Sequence, residues 1–341
     1  LIILLLTLLG CSSSFKILVY IPKFAISHIK FMGVIADTLV DAGHNVTALI
    51  SEMDASLPDG AKKAPVIRIS PAEGADHMNT HFMVGDTDMF EMKSFTWSTT
   101  IENARHNSVS FCRQCRKLLT TPGLVEKLKE EKFDAMITEN FENCGVGLSH
   151  LISPRSLIVV SSSFIMHGED IGVSQSYVTD KTAMSDGRLH NSIYARFMHI
   201  YNVLLFRSFL AAQDEPLQNV FNEIYPGTPS FSKLVSNSAV VMPNNEPLMS
   251  IPYSTLSKIV PIGGITVGKP NKLNDHWNSV LSLRPKTVLI SFGSIAKSVL
   301  MKPARKNALL EAFSSFPRYN IHMEIREYDR RLRHIPSVQS A

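Results

Sequence analysis

The stretch from Lys16 to Ile50 reads KILVYIPKFAISHIKFMGVIADTLVDAGHNVTALI, and its pattern decides the fold class. Lys16 to Ile21 is a short β-rich apolar run that Pro22 to Ser27 interrupts. From Ile29 the apolar residues fall at helical spacing, at Met32, Ile35 and Leu39, with Ala36 and Val40 beside them. Gly43 stands where a helix would end in a left-handed cap, and Val46 to Ile50 reads as a second buried strand. This order predicts a parallel βαβ unit with a right-handed crossover, hence an α/β fold. The strand-to-helix turn lies at the carboxyl edge of such a sheet, where ligands bind. His28 is the polar side chain placed there, and Ser27 before it is the expected N-cap.

Similar units follow. Pro65 to Ile69 reads as a third strand, Leu124 to Glu131 as a charged amphipathic helix, and Phe133 to Thr138 as a strand ending at Glu139. Asn143 to His150 opens another helix, followed by the strand Leu157 to Val160. The run Gly145-x-Gly147-x-x-His150 approaches a dinucleotide fingerprint. Its third glycine is absent, and the next strand runs into Ser161, Ser162 and Ser163 rather than an acid. The glycines therefore predict close helix–sheet packing, not a nicotinamide site. Residues 75–117 are rich in Met, His and Asn with weak helical periodicity. His77 and His81 stand four apart, but no third ligand accompanies them, so no metal is expected. His167 to Gly187 is a long connection of the kind that shapes binding pockets. Ile193 to Ala212 is helical and strongly apolar. It could touch a membrane surface, but Arg196, His199 and Arg207 make a buried amphipathic helix the default.

Ala239 to Met242 and Ile259 to Ile262 read as further strands, and Gly263 to Asn278 as a loop-like linker. Beyond it Thr287 to Ser291 is a buried strand, Phe292-Gly293-Ser294 a turn, and Pro303 to Phe313 a helix opened by proline. Such a turn offers backbone N–H groups to a phosphate. After Pro317 the chain reads as basic and irregular.

The 341 residues suffice for two domains. A net charge of +4, with Lys and Arg scattered, argues against a nucleic-acid partner. Leu1 to Leu9 followed by GCSSS reads as a secretory signal whose basic start is missing, and it is shorter than the roughly 20 apolar residues that span a bilayer. Once Cys11 leaves with that signal, Cys112, Cys115 and Cys144 remain, an odd number whose pairing is open. The Cys112/Cys115 pair follows no strand, which disfavours a redox role, and no second such pair completes a zinc site. The sequon at Asn45 begins a buried strand and is expected to stay unused.

His28 and Glu139 end two strands that a parallel sheet could bring together. A histidine oriented by a carboxylate can take a proton from a hydroxyl. The positive end of the helix beginning near Ile29 disfavours imidazolium and keeps such a base neutral. Spacing alone leaves the other reading open, in which His28 caps the turn and Glu139 is solvated.

Four blocks carry a resemblance: Ser27 to Thr47, Phe133 to Leu148 (FDAMITENFENCGVGL), Lys258 to Ile265 (KIVPIGGI) and Lys286 to Val299 (KTVLISFGSIAKSV). With them the chain, from about Phe15 to Phe316, resembles the UDP-glucuronosyl/UDP-glucosyltransferase family, its nematode members most of all. The resemblance implies a GT-B fold of two Rossmann-like domains. It implies inverting transfer of glucuronic acid or glucose from a UDP-sugar, a co-substrate rather than a cofactor, to a small lipophilic acceptor. The family's base maps onto His28. Its supporting carboxylate, usually Asp, maps onto Glu139, one methylene longer. The donor-phosphate loop maps onto Ser291, Phe292, Gly293 and Ser294, and the acceptor region onto Ser176, Tyr177 and Val178. The implied domains are residues 1–14 as signal, 15–265 for acceptor binding, 266–284 as linker and 285–341 as the first βα elements of a truncated donor domain. The family's His-Gly-Gly donor run and carboxy-terminal membrane helix do not occur in these residues. That leaves a non-catalytic relative, binding acceptor or pairing with intact members, as the alternative. The resemblance also implies an endoplasmic reticulum lumen or membrane location, a role in detoxification, and self- or hetero-association.

Overall fold

A computed structural model describes residues 14–75, 97–162, 168–172, 193–249, 255–293, 298–326 and 332–334. The chain divides into two compact units, with the change from unit one to unit two after Val267.

Unit one is built on β1 (Lys16–Lys23), β2 (Asn45–Glu52), β3 (Val66–Ile69), β4 (Ala135–Glu139), β5 (Ser156–Ser161) and β6 (Val240–Pro243). They form one sheet in the order β3-β2-β1-β4-β5-β6, with every neighbouring pair parallel. This is the doubly wound order, and it reverses direction between β1 and β4. The alternation of β1 explains why both faces are covered. Ile17, Val19 and Ile21 join one core cluster with Phe31, Met32 and Ile35 of α1 (Ile26–Asp41). Leu18 and Tyr20 join a second cluster, which includes Cys115 and Leu118 of α2 (Trp97–Leu119), Leu128 of α3 (Leu124–Glu130), Val146 and Leu148 of α4 (Cys144–Ile152), Phe221 of α5 (Ile193–Ile224) and Phe231 of α6 (Phe231–Ser236).

Of the two glycines of α4, Gly145 shows the close helix–sheet packing their spacing predicts, whereas Gly147 lies against a neighbouring helix. A Cβ on Gly145 would lie 2.1 Å from Thr138 Oγ1 and 2.5 Å from the Tyr20 ring, and one on Gly147 2.3 Å from the Phe221 ring. A side chain at Gly145 would push α4 off the sheet, and one at Gly147 would push it away from α5.

Several expectations are corrected. α1 begins at Ile26 with extended Ala25 as N-cap, so Ser27 lies inside the first turn and caps nothing with its side chain. Residues from Trp97 form a 23-residue helix that the weak periodicity understated. Ile259 makes a single bridge to Val241 instead of opening a strand. Asn45 is exposed at the first position of β2 rather than buried.

Unit two contains α7 (Asp275–Ser282), β7 (Lys286–Ile290), α8 (Pro303–Ser314), β8 (Tyr319–Arg326) and β9 (Leu332–His334), with the three strands in that order in one sheet. Asn274 caps α7 by accepting from the Trp277 N–H at 2.9 Å, so a helix begins within the expected linker. Tyr319–Arg326, within the stretch read as irregular, is a strand, because β8 pairs parallel with β7 from Tyr319↔Lys286 to Met323↔Ile290. β7 itself is not buried: Leu289 is 70% exposed. An apolar run shows that a strand can be covered; what covers it depends on packing elsewhere in the chain.

Candidate active site

The reversal of strand order between β1 and β4 leaves a crevice at the carboxyl ends of the strands. β1 leads through Phe24 into the first turn of α1, which carries His28, while β4 ends at Glu139. The register of β1 on β4 (Ile17↔Ala135 to Val19↔Ile137) brings these two ends side by side. His28 Nδ1 lies 2.7 Å from Glu139 Oε2, and the carboxylate is fully buried. A carboxylate only accepts, so Nδ1 is the nitrogen that carries a proton towards Glu139.

Ser162, just beyond β5, completes the group. Its backbone N–H donates to Glu139 Oε1 at 3.0 Å, and its hydroxyl oxygen lies 3.1 Å from His28 Nδ1. Both carboxylate oxygens are thereby engaged, which holds the longer Glu side chain in place. Burial pushes the Glu139 carboxyl up, but the His28 charge and hydrogen bond and the Ser162 contacts outweigh it, so Glu139 sits below the usual carboxylate range.

Two phenylalanines flank the imidazole, and a third packs against them. Phe24 lies 4.4 Å from the His28 ring centroid, Phe141 4.8 Å, and Phe24 and Phe141 stack at 5.3 Å. Phe111 of α2 meets Phe24 edge-on at 5.7 Å. These contacts confine the ring to one orientation and make its surroundings apolar.

Behind this group lies a second buried carboxyl. Glu142 accepts from the Tyr20 hydroxyl at 3.1 Å and from the Cys144 N–H at 2.9 Å. Burial first, then the charges of Asp214 and Glu139, push it up to about 8 despite those two hydrogen bonds, so it holds its proton at neutral pH. Tyr20 is also raised, by burial and then by Glu142. Cys115 and Cys144 form a disulfide that ties α2 to the start of α4, leaving Cys112 as the free thiol among the described residues. The sulfurs of Cys115 and Cys144 and a Glu142 oxygen lie within 4.8 Å of one another. With both sulfurs in a disulfide, they offer no thiolates to a metal.

The structure thus joins His28 to Glu139 and excludes the reading in which Glu139 is solvated. Ser291, Phe292 and Gly293 follow β7 in unit two, with Gly293 at φ +75° and its N–H 3.3 Å from Ser291 Oγ. Ser294 and the acceptor candidates Ser176, Tyr177 and Val178 lie outside the described residues, as do His77 and His81. Sequence reasoning missed Ser162, Phe24, Phe111, Phe141 and Glu142. A signal existed for two: Phe24 flanks the strand end before His28, and Phe141 follows Glu139 by two residues. Ser162 and Phe111 reach the site through pairings that local sequence does not encode.

Residues 16–321 match the profile of a family described as UDP-glucoronosyl and UDP-glucosyl transferase. Among curated relatives, a putative UDP-glucuronosyltransferase, ugt-48 of Caenorhabditis elegans, is 24% identical over 333 residues, 94% of this chain and 62% of its own length. Another from the same organism, ugt-56, is 28% identical over 88% of this chain and 57% of its own length. The chain thus spans about 60% of such relatives. Among solved structures, the glycotransferase of kitacinnamycin superposes with a TM-score of 0.54 at 13% identity, over 96% of this chain and 68% of that one, a likeness of fold. A calicheamicin glycosyltransferase does so with a TM-score of 0.50 at 14% identity, over 92% of this chain and 66% of its own.

Proposed function

This chain belongs to the UDP-glucoronosyl and UDP-glucosyl transferase family, and from that premise we propose that it serves inverting transfer of glucuronic acid or glucose from a UDP-sugar to a hydroxyl of a small lipophilic acceptor. The observation that carries the reading is the 2.7 Å contact between His28 and a buried, ionised Glu139 at the switch point of the sheet.

In this reading the acceptor hydroxyl gives its proton to His28 Nε2 as its oxygen bonds to the anomeric carbon. The bond from that carbon to the phosphate oxygen breaks, and UDP leaves with the electron pair. Attack from the face opposite UDP inverts the centre. Glu139 stabilises the imidazolium as it forms, and the low polarity around Phe24 and Phe141 strengthens that attraction. The phenylalanines also suit a lipophilic, ring-containing acceptor. Ser291, Phe292, Gly293 and Ser294 would cradle the diphosphate through backbone N–H groups, and Ser176 to Val178 would line the acceptor. The UDP-sugar is a co-substrate, so no separate cofactor is invoked. The Cys115–Cys144 disulfide fits an oxidising secretory compartment such as the endoplasmic reticulum lumen.

The test is transfer from labelled UDP-glucuronic acid and UDP-glucose to a panel of phenols by the 341-residue chain, alongside calorimetric titration with UDP and with the phenols. His28→Ala is expected to lower kcat by about 10²–10⁴-fold while leaving UDP affinity unchanged. Turnover retained in that variant would overturn the assignment. Acceptor binding with no transfer by the unaltered chain would instead support the binding-only alternative.

A further inference from the structure

Asn45-Val46-Thr47 is the one Asn-x-Ser/Thr sequence in the chain, with Val rather than Pro in the middle. A buried strand would keep it unused, but burial begins one residue later. Asn45 is exposed, whereas Val46 is 2% exposed. Alternation along β2 sets this difference. Asn45 and Thr47 share one face of the strand. Val46 and Ala48 share the other, where they join the core cluster that includes Phe31 and Met32 of α1.

The surroundings of Asn45 are open. β2 pairs with β1 from Lys16↔Asn45, but β3 joins β2 only from Ala48↔Val66, so residues 45–47 extend past that neighbour. Asp41 to Gly43, which lead into the strand, are exposed, and a Cβ on Gly43 would meet nothing within 4 Å. Phe15, beside Asn45, is 49% exposed, and its carbonyl accepts from the Asn45 N–H at 2.9 Å. An aromatic ring left in water there is a surface that the C–H face of a first sugar can cover.

Position along the strand decides whether a bulky group there is tolerated. Asn45 opens β2 at the amino edge of the sheet, whereas the His28–Glu139 contact lies at the carboxyl edge. Glu52 ends β2 seven residues further on. At about 3.3 Å per residue the two edges are roughly 23 Å apart, so a glycan on Asn45 stands clear of the crevice. The Cys115–Cys144 disulfide fits the oxidising compartment in which such glycans are attached.

We propose that Asn45 is an N-glycosylation site, modified by an oligosaccharide from a lipid-linked diphosphate donor. The Asn45 side-chain nitrogen bonds to C1 of the first sugar as the bond from C1 to the phosphate oxygen breaks. The lipid diphosphate leaves with the electron pair, and one amide proton passes to a base of the modifying enzyme. The site rests on the secretory location proposed above and not on the transfer chemistry at His28.

The test is translation of the full chain behind a cleavable secretory leader in the presence of endoplasmic reticulum microsomes, with protease added outside. The leader supplies entry, so the outcome reports on Asn45 and not on the chain's own targeting. Protease-protected chain is expected to run as one heavier species that peptide N-glycosidase F returns to the unmodified mobility. Mass spectrometry after that digestion in heavy-oxygen water should place the label at position 45. Asn45→Gln and Thr47→Ala should each abolish the heavier species, and Thr47→Ser should retain it. Protected chain without the modification, or a heavier species that persists in Asn45→Gln, would overturn the proposal.

Discussion

Glu139 and Glu142 are three residues apart, both buried, yet they stand in opposite protonation states. Glu139 ends β4 against a histidine and two Ser162 groups, and its pKa is lowered. Glu142 meets a tyrosine hydroxyl and one backbone N–H, with the negative charges of Asp214 and Glu139 acting on it, and is pushed up to about 8. Burial is the largest influence on each and raises both. The difference lies in whether a cation-forming partner repays desolvation. The first carboxyl is thus suited to orienting a base, and the second to serving as a neutral hydrogen-bonding post behind it.

The strongest way to break this contrast is to neutralise each carboxyl in turn. Glu139→Gln removes the charge that supports the imidazolium, and kcat in the transfer assay is expected to fall about 10³-fold. Glu142→Gln replaces a neutral acid by a neutral amide and should change kcat by less than about threefold. Equal losses from the two substitutions would mean that the carboxyls do not divide the work as their surroundings indicate.

Stability against pH sharpens the same contrast, because the two signs are opposite. Glu142 has a raised folded pKa, so between its unfolded value near 4.5 and about 8 the folded state holds the extra proton, and stability falls as pH rises through that window. The loss reaches roughly 3 kcal/mol at neutral pH. Urea unfolding across pH should show this slope, and Glu142→Gln should flatten it. Glu139 has a lowered folded pKa, so its contribution is complete above the unfolded value and is lost as pH falls through the folded one.

The Cys115–Cys144 bond closes a loop with a sequence separation of 29 beside Glu142. Replacing both cysteines by Ala is expected to lower stability by about 2–3 kcal/mol, read as a shift in the urea midpoint. The His28–Glu139 contact, made by other elements, should survive that change, so the UDP-sugar KM should move little.

A smaller loss than at Glu139 is expected at Ser162. Ser162→Ala keeps the backbone N–H on Glu139 but deletes the hydroxyl near His28 Nδ1, and should cost about tenfold in kcat, roughly 1 kcal/mol. Nitrogen NMR of the imidazole then distinguishes positioning from mere packing, since the Nδ1-protonated tautomer should become less dominant in the variant.

How much of this was legible in the chain differs by region. Within Lys16–Ile50 the change from apolar alternation to helical spacing and back leaves one solution, and β1, α1 and β2 appear in the order read, although β1 runs through Pro22 to Lys23 and α1 already begins at Ile26. Gly145 of α4 also reveals its role, because its local pattern coincides with the tertiary contact it permits. Beyond such self-contained units the reading weakens. TVLIS resembles a buried strand, yet β7 is partly exposed, and α5 presents an apolar line to solvent although its composition suggests burial. Apolar content measures what a segment could bury, whereas the neighbours that decide whether it does are distant in sequence.

The candidate site divides along the same line. The sequence by itself determined the α/β class, the strand ends that carry His28 and Glu139, and, through four blocks of residues, the family. All of these rest on local periodicity or on motifs that survive without coordinates. Only the tertiary structure decided that Ser162 locks the pair, that Phe24 and Phe141 flank the imidazole with Phe111 packed against them, that Cys115 rather than Cys112 pairs with Cys144, and that Glu142 keeps its proton. Each depends on distances between elements 20 to more than 130 residues apart, as between Ser162 and His28 at a separation of 134. Desolvation and hydrogen bonding act over a few ångströms of space, and no window of sequence contains them.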